Sequence, residues 1–166
     1  MKKLFLIRHA KSDWSTEGLA DIDRPLNKRG YIDAHLVGAF LKNHYSAKTI
    51  FICSPAVRAL TTALIFATEL AHLKEEILLV PDIYEANTED LFQVVAKTAD
   101  HFEGVFLFGH NPSISEVVAT LSGGPFVNLP TCCVSAFESE AKRWQDFLYQ
   151  KPNLFAQVIP ADLKPE

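Results

Sequence analysis

The sequence predicts a three-layer α/β/α protein built on a mostly parallel central sheet. Short apolar runs of strand length alternate with stretches whose apolar residues recur at helical spacing. Three of those runs end near basic or imidazole residues: Arg8-His9 after Leu4-Phe5-Leu6-Ile7, Arg58 soon after Thr49-Ile50-Phe51-Ile52-Cys53, and His110 after Val105-Phe106-Leu107-Phe108. The length, 166 residues, suits one domain spanning 1–166 with a full core.

The first strand reads as Lys3 to Ile7, and a polar loop from Lys11 to Lys28 follows it. Ile32, Leu36, Ala39 and Phe40 then recur at helical spacing, with Gly30 near the start. Thr49 to Cys53 is the second strand. Ser54-Pro55 reads as a helix start, serine capping free amides and proline fitting the first helical position. Leu60, Leu64, Ala67 and Leu70-Ala71 mark the buried face of that helix. Ile77 to Val80 is a third strand, stopped by Pro81. Asn87 or Thr88 caps a helix carrying Leu91, Val94, Val95 and Thr98.

Val105 to Phe108 is the most apolar strand and is expected at the sheet centre. Ser113 and Glu116 have capping-box spacing. Ile114, Val117, Val118 and Leu121 form the next buried stripe, which Gly123-Gly124-Pro125 ends. Thr131 to Phe137 and Phe155 to Ile159 read as strands toward the other side of the sheet. Trp144 to Leu148 fits either a helical turn or a hairpin.

Composition narrows the function classes. Hydrophobic residues at 48% and charged residues at 22% match an ordinary soluble globular domain. The net charge of −4 argues against nucleic acid as partner, because counterion release needs a basic face. No apolar run reaches membrane-spanning length, so no membrane is expected as partner. Lys2-Lys3 and four apolar residues, interrupted by Arg8, are too short for a signal peptide. The three cysteines, Cys53, Cys132 and Cys133, form no disulfide framework and point to a reducing cytoplasm. No metal-ligand spacing occurs among the histidines and carboxylates, so neither metal nor cofactor is expected.

The candidate chemistry lies at the strand ends. In a parallel sheet the three junctions share one edge, where α/β proteins bind ligands. Arg8, His9, Arg58 and His110 can therefore converge. Arginine offers a fixed fork of donors that matches phosphate. Histidine can act as a nucleophile near neutral pH. Arg58, about one turn inside a helix capped by Ser54, would lie beside amides and a dipole that favour an anion. Alone, Arg8 could be a strand-end ion pair and His110 a turn residue; the conjunction of four favours a site. His35, His44, His72 and His101 lack such context and read as surface or packing groups. Asp23-Arg24 reads as an ion pair, and Trp14 as a residue that lines the pocket or pins its loop.

Four stretches, in order, carry a resemblance: Leu6-Ile7-Arg8-His9-Ala10-Lys11-Ser12, Asp23-Arg24-Pro25-Leu26-Asn27-Lys28-Arg29-Gly30, Ser54-Pro55-Ala56-Val57-Arg58-Ala59 and Gly109-His110-Asn111-Pro112. The ending Val158-Ile159-Pro160-Ala161-Asp162-Leu163 joins them. The chain resembles the histidine phosphatase superfamily, of phosphoglycerate mutase-like fold, and within it the short SixA-type phosphohistidine phosphatases. That resemblance implies His9 as the phosphoryl acceptor, with Arg8, Arg58 and His110 binding the phosphoryl oxygens. It implies Ser15 as a further phosphate contact and Glu85 as a general acid. Ala10 stands where many relatives have glycine.

The implied activity is a metal-independent phosphohydrolase working through phospho-His9. Its implied partner is a phosphohistidine-bearing signalling or phosphotransfer protein, or else a phosphorylated small molecule. The alternatives are a broad phosphomonoesterase and a non-catalytic phosphoprotein-binding module. Cys53, with four residues between it and Arg58, resembles the cysteine of thiolate phosphatases, whose loop has five residues between the two. Pro55 starts a helix there, so Cys53 reads instead as a small buried hydrophobe.

Overall fold

The computed structural model describes residues 1–165. Among them six strands form one sheet: β1 (Lys2–Arg8), β2 (Thr49–Cys53), β3 (Ile77–Leu79), β4 (Gly104–Gly109), β5 (Val134–Ser139) and β6 (Asn153–Val158). Their spatial order is β3-β2-β4-β1-β5-β6. The first four neighbours run parallel, whereas β5 runs antiparallel to both β1 and β6. The helices are α1 (Lys28–Phe40), α2 (Val57–Leu70), α3 (Thr88–Ala96), α4 (Ser113–Ser122) and two single turns, α5 (Trp144–Phe147) and α6 (Pro160–Leu163). Trp144 to Leu148 is thus a helical turn and not a hairpin. Among the described residues no helix is long and apolar enough to cross a membrane.

The period-two alternation of strands divides the core into two layers. Phe5, Ile7, Phe51, Phe106 and Phe108 pack with α1 and α2, while Leu4, Leu6, Ile52 and Leu107 pack with α3, α4 and Trp144. Phe5 and Phe51 both stack on Phe106, with ring centroids 4.3 and 5.0 Å apart. Complete burial of each such side chain contributes about 1.5–3 kcal/mol. All six residues of β4 are buried, as its apolar sequence predicts.

The helix starts differ from their local signals. Helix α2 begins at Val57, and Ser54 lies outside it, so Ser54 is not the cap. Pro112 precedes α4 and Ser113 is its first residue; the Ser113 hydroxyl donates to the His110 carbonyl, and no capping box with Glu116 forms. Asn87 does cap α3, in a reciprocal box with Asp90. On α1, Ile32 and Phe40 face solvent, and the buried face is Gly30, Asp33, Ala34, Val37 and Gly38. Small residues occupy that face because α1 packs closely on α2: a Cβ on Gly38 would lie 3.3 Å from the Glu69 side chain. Strand β5 begins at Val134, three residues later than predicted, because Cys132 holds a left-handed backbone with φ 61°.

Register brings the site together. Arg8 pairs with Gly109 across β1 and β4, and Cys53 with Phe108 across β2 and β4. His9, Ser54 and His110 are therefore the next residues off three adjacent strands, all at one edge. Backbone bonds continue past the strands, from His9 N to Gly109 O at 3.0 Å and from Ser54 N to Phe108 O at 3.1 Å.

Candidate active site

The His9 imidazole is held in one tautomer. Its Nδ1 lies 2.7 Å from the Ala10 carbonyl oxygen, which can only accept, so Nδ1 carries the proton. The bare Nε2 accepts from Arg58 Nε at 3.3 Å. Ala10 is fixed in turn by α2: its amide donates to Thr62 Oγ1 at 3.0 Å, and that hydroxyl donates to the Arg58 carbonyl at 2.7 Å. One buried threonine thus ties the backbone behind His9 to the helix that presents Arg58. Buried orienting groups of this kind set which ring nitrogen is available to react.

Arg58 is the second residue of α2, in its first turn, and is 5% exposed. Its Nη1 donates to the Asp21 carbonyl at 2.7 Å and its Nη2 to the Asp21 carboxylate at 3.0 Å. Arg8 Nη1 donates to the Leu129 carbonyl at 2.6 Å, while its buried Nε has no partner. The His110 ring centroid lies 5.1 Å from that of His9. His110 Nε2 and the Ser54 hydroxyl are hydrogen-bonded at 2.8 Å, which is where the serine went instead of capping α2.

Electrostatics follow from burial and from three guanidiniums. Burial pushes the His9 pKa down to about 3, with His110, Arg58 and Arg8 adding repulsion. His110 falls to about 4, again through burial first and Arg58 second, partly offset by Asp21. Both rings are neutral at pH 7, leaving Nε2 of His9 with its lone pair. The cationic surplus is that of Arg8, Arg24 and Arg58 against the Asp21 carboxylate, which suits a dianion.

Asp21 has no counterpart in the sequence reading. It lies in the 3₁₀ turn Asp21–Asp23, and its carboxylate accepts from the Tyr84 hydroxyl at 2.7 Å, from Arg24 Nε and from Arg58. These bonds, that of Tyr84 foremost, hold it well below the usual carboxylate range. Arg24 therefore pairs with Asp21, not Asp23. The only hint in the sequence is the acidic pair flanking Ile22, which does not say which carboxylate turns inward.

Glu85 stands apart: it is exposed, with a left-handed backbone at φ 56°, and its neighbour Tyr84 is the residue that turns inward, edge-on to His110 at 5.6 Å. Ser15 is exposed as well, its amide bonded to Asp13 and its hydroxyl outside the network joining the other groups. Cys53 is buried, its thiol donating to the Ser54 carbonyl and its pKa pushed up by burial, so it presents no thiolate. Only residues 80–87 connect β3 to α3, so no long segment roofs this edge.

Comparison with known proteins agrees. The description of the histidine phosphatase superfamily (branch 1) matches residues 4–92, a span that holds Arg8, His9 and Arg58. An uncharacterized protein of Mycobacterium tuberculosis is 32% identical over 122 residues, covering 70% of this chain and 72% of that protein. An uncharacterized chloroplastic protein of Arabidopsis thaliana is 25% identical over 158 residues, covering 87% of this chain and 70% of that protein. Among solved structures, the protein histidine phosphatase SixA complexed with tungstate superposes with a TM-score of 0.81 at 20% identity, over 98% of this chain and 99% of that one. A phosphoserine phosphatase mutant from Entamoeba histolytica, in complex with phosphoserine, gives 0.62 at 17% identity, over 99% of this chain and 100% of that one. The chain belongs to the histidine phosphatase superfamily, in its branch 1, and is a histidine-type phosphatase.

Proposed function

We propose that the chain hydrolyses phosphohistidine on a signalling or phosphotransfer protein, through a phospho-His9 intermediate. The observation that carries this reading is His9 itself, its Nδ1 proton held by Ala10 and its Nε2 lone pair facing Arg58. Nε2 attacks phosphorus; the new N–P bond forms as the bond to the leaving group breaks. Arg8, Arg58 and His110 bind the equatorial oxygens, supplying the positioning and charge that phosphoryl transfer needs. The arriving phosphoryl group takes over the Arg58 Nε donor that rests on Nε2 in the free enzyme. Water then attacks phosphorus, the N–P bond breaks, and inorganic phosphate leaves with His9 restored.

The leaving group supports the substrate class. An alkyl phosphate needs a proton delivered to its departing oxygen. Asp21 is held ionised by three donors, and Glu85 is outside the network. Phosphohistidine leaves as an imidazole, which is partly protonated near neutral pH and needs less help.

The test is hydrolysis of a chromogenic aryl phosphate in excess chelator. Native protein should turn over and His9→Ala should not. Full activity in His9→Ala, together with loss in Cys53→Ala, would overturn the mechanism. Turnover of phosphohistidine peptides should then exceed that of phosphoserine peptides and sugar phosphates; equal turnover of all three would point to a broad small-molecule phosphatase.

A further inference from the structure

Trp14 keeps 72% of its surface in solvent, yet it is not loosely held. The Arg24 guanidinium lies 3.5 Å from its ring centroid, covering one face by a cation–π contact. Arg24 is 8% exposed and is itself locked, donating to Ser12 Oγ at 2.6 Å and to Asp21 at 3.0 Å. The same Asp21 carboxylate accepts from Arg58, which donates to His9. The indole is therefore attached to the nucleophile by a short chain of fixed contacts, with its other face open. Fixing an aromatic ring in advance removes most of the ordering cost of a later stack.

A second pair of exposed apolar residues lies on the segment after α4. Phe126 and Val127 are 55% and 59% exposed, immediately before Asn128 and Leu129. Asn111 Nδ2 donates to the Asn128 side-chain oxygen and Arg8 to the Leu129 carbonyl. Exposed apolar groups thus sit on the segment that contacts Arg24, through Trp14 and Ser12, and on the one that holds Arg8, through Leu129. The chemistry points the same way. With Asp21 ionised, the favoured leaving groups are those that depart without a strong acid, and of these imidazoles and phenols are flat rings.

We infer that Trp14, backed by Arg24, is the platform on which an aromatic leaving group stacks. It makes the site selective for phosphoryl groups carried directly on a flat ring, with the phosphohistidine imidazole as the biological member. The inference rests on the reading of His9, Arg8 and Arg58 as the phosphate site.

Two non-hydrolysable probes test it by calorimetry. Phenylphosphonate carries its ring directly on phosphorus, and methylphosphonate carries none. The native chain should bind phenylphosphonate about tenfold more tightly, the size of one good aromatic stack. Trp14→Ala should erase that preference and leave methylphosphonate unchanged, and Trp14→Phe should keep most of it. A ring preference that survives Trp14→Ala, or no preference in the native chain, overturns the inference. Equal weakening of both probes in Trp14→Ala also overturns it, because Trp14 would then only be holding Arg24 in place. Binding needs no turnover. A native chain that shows the Trp14-dependent preference but hydrolyses no aryl phosphate refutes the phosphatase mechanism while upholding the platform.

Discussion

His9 shows how a single residue can conflict with the fold that carries it. A buried imidazole is neutral because protonation would place a charge where water is scarce, and that neutrality makes Nε2 nucleophilic. Repulsion from the neighbouring guanidiniums is the cause that strand-end motifs suggest, but in the folded protein it ranks behind burial. The same depression has a cost in acid. An unfolded histidine titrates near 6.5, whereas folded His9 titrates at about 3 and His110 at about 4. Between those values the unfolded chain binds more protons, so stability rises with pH across the window and is lost as pH falls. For His9 alone the loss between pH 7 and pH 4.5 is about 2–3 kcal/mol, at 1.36 kcal/mol per unit. Urea unfolding at both pH values should show native protein losing about that much more than His9→Gln. An identical loss in the two proteins would mean that His9 is not the titrating group.

At the scale of elements, the legible parts were those with local signals. Strands β1, β2 and β4 announce themselves as apolar runs, and Arg8, His9, Arg58 and His110 follow them within a few residues. Asp21, Tyr84, Thr62 and the Leu129 carbonyl were not legible, because each reaches the site from a turn, a helix interior or a loop through a tertiary contact. Ser54 shows the same limit: its cap signal is sound, but a buried His110 nitrogen claims the hydroxyl. The apolar spacing of α1 marks the helix but not its buried face, which for a packing reason is made of Gly30, Asp33, Ala34, Val37 and Gly38. Gly30 is the most demanding of these. A Cβ there would lie 2.2 Å from the backbone oxygen of Lys11, which also accepts from Asn27 N at 3.0 Å. Alanine would gain about 1 kcal/mol in helix propensity. Overpacking against a backbone atom costs about 1–3 kcal/mol and would shift Lys11, one residue past the Ala10 carbonyl that fixes His9. Gly30→Ala should therefore lower both the melting temperature and kcat. A variant more stable than native, with kcat unchanged, would show that α1 retreats freely and is not part of the site's support.

Over the whole molecule, the proposed phosphate ligands come from positions 8, 9, 58 and 110, and those positions meet only when β1, β2 and β4 are in register. An oxyanion should consequently bind the folded chain and have almost no affinity for the unfolded one. Mass action then turns ligand affinity into stability: at a hundredfold excess over Kd, the gain is about 2.7 kcal/mol. For a chain of this size each kcal/mol raises Tm by roughly 2–4 °C, so saturating tungstate should lift it by about 5–10 °C. Arg58→Ala should lose most of that shift, because it removes a guanidinium and leaves the Asp21 carboxylate with one cationic partner, Arg24, in place of two. His9→Ala should keep a substantial part, since the clamp formed by Arg8, Arg58 and His110 remains. This ordering separates binding from chemistry, as aryl phosphate turnover should vanish in His9→Ala. Thermal melts with and without tungstate on the three proteins read it directly. An undiminished shift in Arg58→Ala would place the oxyanion away from this sheet edge and would remove the physical basis for treating Arg58 as a phosphate ligand.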